Sequence, residues 1–240
     1  MKFIHAFILW LGFVSLALLL VSGPVYRFEL VDLGTAFLLF RWAAYLGAAA
    51  VILNIILLLL RKKDGPHISV VALAALAGFI SFYMPYQMMQ KAKSVPPIHD
   101  ITTDTQNPPE FVAILPLRMN APNDAHYGGE AVAQQQLEAY PDIKTLHLQQ
   151  GAEQVFEAAQ QVVKAMGWQL VSANQPLGRI EATDTTTWFG FKDDVVIRIS
   201  PDNGATNVDV RSVSRVGKSD VGKNAERIRN FLEQLQQQLK

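Results

Sequence analysis

VVIRISPDNGATNVDVRSVS, Val195–Ser214, decides the fold of the second half of the chain. Val195, Ile197 and Ile199 alternate with Val196 and Arg198, and Val208 and Val210 alternate with Asp209 and Arg211. A period of two marks a strand with one buried face. Between the two runs, Asn203-Gly204 supplies the positive φ that a tight hairpin turn needs. The stretch therefore predicts two antiparallel strands, Val195–Ser200 and Val208–Ser214, with one face turned to a core.

Working outward, Ile143–Leu148, Trp168–Ser172 and Gly178–Thr186 are further strand candidates. Gly129–Tyr140 reads as a weak helix. AEQVFEAAQQVVKAMG, residues 152–167, is a clear one, with Val155, Ala159, Val162, Val163 and Met166 at helical spacing and Gly167 as its stop. The chain ends in an amphipathic helix. Val221, Ala225, Ile228, Leu232, Leu235 and Leu239 recur at steps of four and three, and Ser219 or Asp220 is the expected N-cap. An antiparallel sheet with helices packed on one face buries both periodicities. Residues 112–240 are thus expected to form an α+β domain.

Residues 1–90 are of another kind. Apolar runs at about 3–21, 37–60 and 68–88 each approach the ~20 residues that cross a hydrocarbon core. In lipid, backbone groups must be satisfied within the segment, so helix is the expected state. A bundle of three transmembrane helices follows. The first run is too long for the h-region of a cleaved signal, and a retained helix is expected. RKKDGPH, Arg61–His67, is the densest basic loop, which puts it and the Met1–Lys2 end in the cytoplasm and the C-terminal domain outside. Arg41 lies one turn inside the second run and reads as snorkelling to the outer headgroups. Ala43, Gly47, Ala74 and Gly78 give the small-residue spacing of closely packed helices. Between the two parts, residues 91–111 carry four prolines and read as an extended arm.

Composition narrows the chemistry. Of the 240 residues 21 are basic and 21 acidic, yet after Gln90 acids outnumber bases by about three, against a duplex-binding domain. There is no cysteine, so disulfides, thiolate metal sites and cysteine nucleophiles are excluded. Gly217-Lys218-Ser219 sits where a phosphate-binding loop belongs, but the glycine required five positions earlier is Ser212, so neither nucleotide nor nucleic acid is an expected partner. No motif calls for a cofactor or metal. His99, Asp100 and Asp104 in IHDITTD, completed by His126 or His147, are a candidate metal or acid–base site, but the spacing is not that of zinc ligands. Turn-capping bonds are the better account of the acids. Asp193 and Asp194 are adjacent, and adjacent strand residues point to opposite faces.

The strongest candidate site is an anion site of Arg211, Ser214, Arg215 and Ser219 near the N-terminus of the last helix, where guanidinium groups, hydroxyls and free amides gather. The competing structural account makes Asp209, Asp220 and Asp193 the partners of the arginines at a strand-to-helix corner.

DVRSVSRVGKSDVGKNAERI, FGFKDDVVIRI and PPIHDITTDTQNPPEF closely resemble segments of an uncharacterised family known as domain of unknown function 1499, from about Ser94 to the C-terminus. Lys218 departs from its signature, where an aromatic residue is more usual. The resemblance implies a bacterial cell-envelope protein, often with membrane helices, and supplies no activity. The expected protein is a multi-pass inner-membrane protein with a non-enzymatic periplasmic domain. Besides the lipid bilayer, its expected partner is an anionic envelope component or another protein. The alternative is a hydrolase using the HDITTD arm with the Asp193/Asp194 region.

Overall fold

The computed structural model describes residues 2–60 and 65–240. The chain divides into two compact units, Met1–Lys91 with Thr187–Gly190, and Ala92–Thr186 with Phe191–Lys240.

The first unit is built on three helices, α1 (Lys2–Arg27), α2 (Leu33–Leu59) and α3 (Ile68–Ser94). Each is long and apolar enough to cross a membrane. They outrun the apolar windows that announce them, because helical hydrogen bonding continues into residues polar enough for the interface. At 26 or 27 residues each is roughly 40 Å long, against about 30 Å of hydrocarbon. Phe7, Trp10, Ile52, Leu59 and Leu73 are exposed, as a lipid-facing surface requires. Small residues bring backbones together: a Cβ added to Gly47 would lie 2.5 Å from the carbonyl oxygen of Gly78. Buried Asn54 donates to the carbonyls of Ala50 (2.8 Å) and, across to α1, Ile8 (3.3 Å). The Arg61–Lys63 cluster on which the orientation rests lies outside the described residues.

The second unit contains β1 (Asp100–Thr102), α4 (Glu130–Ala139), β2 (Leu146–Leu148), α5 (Ala152–Ala165), β3 (Gln169–Asn174), β4 (Arg179–Thr185), β5 (Lys192–Asp202), β6 (Ala205–Ser214) and α6 (Lys223–Gln238). The sheet is antiparallel throughout and runs β1-β6-β5-β4-β3, with β2 pairing the other half of the β6 edge. The β5–β6 hairpin closes at Asp202 and Ala205, and Asn203 and Gly204 take φ of 47° and 90°. Both central residues at positive φ make the turn whose twist matches the strands.

One face of the sheet offers Ile180, Ala182, Val195, Ile197, Ile199, Val208 and Val210. Against it pack Val155, Phe156, Ala159, Val162 and Val163 of α5 and Ala225, Ile228, Phe231 and Leu235 of α6, with Trp168 stacked on Phe231 at 5.7 Å between ring centroids. This is the expected architecture, helices on one face. The β1 edge is sealed by a side chain: buried Gln136 of α4 accepts from the Thr102 amide (2.9 Å) and donates to its carbonyl (2.7 Å), in place of another strand.

Three local expectations are corrected. The strand expected over Ile143–Leu148 is confined to Leu146–Leu148, since Ile143 turns into the core. The N-cap of α6 is Gly222, not Ser219 or Asp220, because Val221 (φ 55°) and Gly222 (φ 77°) bend the chain first. The Asp220 carboxylate still caps it, accepting from the amides of Gly222 (2.8 Å) and Asn224 (2.7 Å). The proline-rich stretch 91–111 is no bare arm: α3 continues to Ser94, and β1 pairs with Arg211–Val213.

Candidate functional site

Strand alternation that builds the apolar face sends Arg179, Glu181 and Thr183 of β4, Asp194, Val196 and Arg198 of β5, and Asp209, Arg211 and Val213 of β6 to the opposite face, which Arg215, just past the end of β6, joins by its bonds to Asp194. This face is charged yet covered. The chain from about residue 103 to 127 lies over it, with Phe111 and Ile114 packed on Val196 and Val213. The covering segment is a loop with one short 3₁₀ turn, Leu115–Arg118. Charged groups hold it down.

Arg211 is 2% exposed. Its Nε and Nη2 grip the Asp100 carboxylate at 3.0 and 2.7 Å, Nη1 donates to the Pro109 carbonyl (3.2 Å), and Nη2 donates also to that of Ala125 (2.7 Å). The rings of Phe111 and Tyr127 lie 5.2 and 5.4 Å from the guanidinium carbon. Burial pushes the Tyr127 hydroxyl up to about 12. Arg215 grips Asp194 through Nε and Nη2, both at 2.8 Å, and donates to the Leu117 carbonyl at 3.1 Å. Asp194 also accepts from Arg118 (2.6 Å) and Thr183 (2.7 Å). Burial pushes its carboxyl up, but Arg215, Thr183 and Arg118 together hold it below the usual carboxylate range. Glu181, fully buried, accepts from the backbone amides of Val112, Ala113 and Ile114 at 2.9–3.2 Å and lies 3.1 Å from Arg179. Asp209 takes Thr103 (2.9 Å), Thr145 (2.6 Å) and Arg198 (2.8 Å).

A second polar cluster closes the apolar face at its α6 end. Arg227 donates to Asp184 (2.7 and 2.9 Å), Asp193 (2.6 Å), Asn224 (2.5 Å) and Ser212 (3.2 Å). Ser214 points to this side, accepting from Asn224 at 3.0 Å. Ser219 donates to the Pro96 carbonyl (3.4 Å) and accepts from the Val221 amide (3.1 Å). Burial raises the Asp220 carboxyl, the Asn224 and Gly222 amides oppose that, and nearby Asp193 adds to it.

The four residues of the expected anion site are thus divided. Arg211 and Arg215 share the covered face, each on its own carboxylate, while Ser214 lies on the other face and Ser219 in the loop before α6. The arginine partners match those anticipated in one case only: Asp209 pairs with Arg198, but Arg211 and Arg215 take Asp100 and Asp194, and Asp193 takes Arg227. The HDITTD residues disperse similarly. Asp100 goes to Arg211, Asp104 to Arg198 (2.9 Å), and the His99 ring lies 3.4 Å from the Lys218 carbonyl. Asp193 and Asp194 face opposite sides. His147 meets Asn207 (2.6 Å) on β6, and His126 follows the Asp124 turn. Among the described residues, no three His, Asp or Glu converge as a metal site would require.

Sequence reading missed Arg118, Glu181 and Arg227. Glu181 and Thr183 alternate with Ile180 and Ala182, a legible sign of a polar inner face. Arg227 lies on the buried arc of α6 beside Asn224 and Ile228. Arg118 belongs to an aperiodic loop and carried no local signal.

The family model described as protein of unknown function, DUF1499, matches residues 100–235, from β1 into α6. No curated protein matches the chain.

Proposed function

This chain belongs to the DUF1499 family of proteins of unknown function, and we propose that it is a membrane-anchored protein of the bacterial cell envelope whose α+β domain is a non-catalytic binding or scaffolding module on the periplasmic side of the inner membrane. The observation that carries this reading is the use made of the buried charges. Arg211, Arg118, Arg215 and Glu181 spend their hydrogen bonds on the covering loop and on carboxylates beneath it. Groups so committed hold a surface in shape, whereas a reaction centre leaves an acid, base or nucleophile facing a cleft. An anionic envelope component at Arg211 or Arg215 must first displace Asp100 or Asp194, which makes a scaffold the primary role of those arginines. Three apolar helices supply the anchor, and the Arg61–Lys63 cluster supports a cytoplasmic loop there and a periplasmic C-terminus.

Reporter fusions at Lys240 test the orientation. An enzyme active only in the periplasm is expected to work there, and a cytoplasm-only fluorescent protein is expected to stay dark. The reverse pattern moves the domain to the cytoplasm and removes the envelope role.

A further inference from the structure

Gln136 seals the β1 edge of the sheet, but β3, at the other edge, is open to solvent: Gln169, Leu170 (48%) and Ala173 are exposed. The backbone groups that β3 offers follow from the pairing. Ile199 donates its amide to the Gly178 carbonyl, one step outside the opposed residues Arg179 and Arg198, so those two are a non-hydrogen-bonded pair. Arg179 therefore turns its amide and carbonyl towards β3, where it opposes Asn174. Alternation then turns the amides and carbonyls of Ala173 and Leu170 away from the sheet. The bulge between Leu170 and Ser172 keeps this phase. Its extra residue, Val171, packs on the Phe111 cluster of the covered face, while Leu170 and Ala173 oppose Ala182 and Ile180 of the apolar face. On that side Leu170 and Trp168 line an open groove of about 420 Å³ together with Gln160, Gln161 and Lys164 of α5.

We propose that the β3 edge is an interface with a second copy of this chain, the two β3 strands pairing antiparallel about a two-fold axis between Val171 and Ser172. The proposal goes beyond the role given above and holds on either side of the membrane. An unsealed edge is a template for another strand, and two features favour a second copy as its source. The first is register. The axis sets Leu170 opposite Ala173 of the second copy, and Ala173 opposite its Leu170, so both pairs bring outward amides and carbonyls together. The second is charge. The flank of α5 beside the groove runs from Glu153, which accepts from Gln175 just past β3 at 3.1 Å, through Glu157 to Lys164, which lies beside Leu170. The same axis reverses this order in the second copy and brings Lys164 to the level of that copy's Glu157, at two symmetric places. Lys164 and Glu157 are exposed, and neither side chain has a partner among the described residues. Opposite charges at matching levels select the partner and fix the register.

The absence of native cysteine allows a direct test on the full-length chain in mild detergent. Ala173→Cys places a thiol at the pairing edge, and Leu137→Cys places one on the exposed side of α4, by the sealed edge. Treated with a short bifunctional maleimide, Ala173→Cys is expected to give a covalent dimer and Leu137→Cys to stay monomeric. Adding Lys164→Glu to Ala173→Cys is expected to lower the dimer yield several-fold, because like charges then meet at both symmetric places. Adding Glu153→Lys and Glu157→Lys to that variant is expected to restore the yield. A monomeric Ala173→Cys chain overturns the interface, and so does an equal yield from Ala173→Cys and Leu137→Cys, which marks random encounter. A dimer yield indifferent to Lys164→Glu overturns the two-fold register. Cross-linking of Ala173→Cys in intact membranes to a different protein, with none to itself, assigns the edge to another partner and refutes the second copy.

Discussion

Removing the Arg211 side chain tests whether the charged face is scaffold. In Arg211→Ala the Asp100 carboxylate, 4% exposed, loses both its guanidinium bonds, and no other side chain bonds it among the described residues. The carbonyls of Pro109 and Ala125 lose their donor, and Phe111 and Tyr127 lose the cation between them. Breaking a buried pair from one side costs about 3–5 kcal/mol. Loss of the loop contacts argues for the upper end, about 4–5 kcal/mol, a large share of the ~5–15 kcal/mol that holds a domain. At about 2–4 °C per kcal/mol, the domain transition falls by roughly 10–15 °C. Thermal unfolding of the full chain in mild detergent, followed by near-ultraviolet circular dichroism, reads this. The companion variant Asp100→Leu with Arg211→Met replaces both charges by apolar groups and should recover most of the loss, because the penalty lies in the uncompensated carboxylate. If Arg211→Ala melts like the parent or higher, and phosphate stabilises the parent but not the variant, Arg211 is a ligand-binding cation and the scaffold argument fails.

Other expectations follow the same logic. Arg215→Ala should cost less than Arg211→Ala in the same melts, about 2 kcal/mol, since Arg118 still pairs with Asp194; an equal or larger loss contradicts the shared carboxylate. Asp194 has a folded pKa below its unfolded one, so its contribution is complete above the unfolded value and is lost as pH falls through the folded value. Asp194→Asn should therefore be destabilised at neutral pH and show a shallower loss of stability on acidification; parallel acid curves would refute the assignment. Ile228→Asp buries a charge at a fully covered site and should prevent folding of the domain, whereas Leu232→Asp, at a half-buried site, should cost about 1–2 kcal/mol. Equal melts for these two would mean that α6 packs by another face. Gly47→Leu should disrupt the helical unit, because the side chain would meet the Gly78 backbone; unchanged thermal stability and elution in detergent would contradict that packing.

The elements legible in the sequence are those whose signal is local and periodic. The three apolar runs needed only length and composition. The β5–β6 hairpin needed a period of two and an Asn-Gly turn, and α5 and α6 needed apolar residues three and four apart, so the antiparallel sheet with helices on one face follows from neighbours along the chain. The pairing of charges does not. Arg211 finds Asp100 across 111 positions, and Arg118 finds Asp194 across 76. Alternation showed that Arg211 and Asp209 share a face, but it could not show that an aperiodic loop from residue 103 to 127 would cover that face and supply carbonyls to its arginines. Ser214, by contrast, was legible, since the same alternation places it with Val208 and Val210 and away from Arg211. Secondary structure depends on contacts within a few residues, whereas a buried charge depends on which distant groups the fold brings within hydrogen-bond reach. The reading of the arginines as scaffold therefore belongs to the tertiary structure alone.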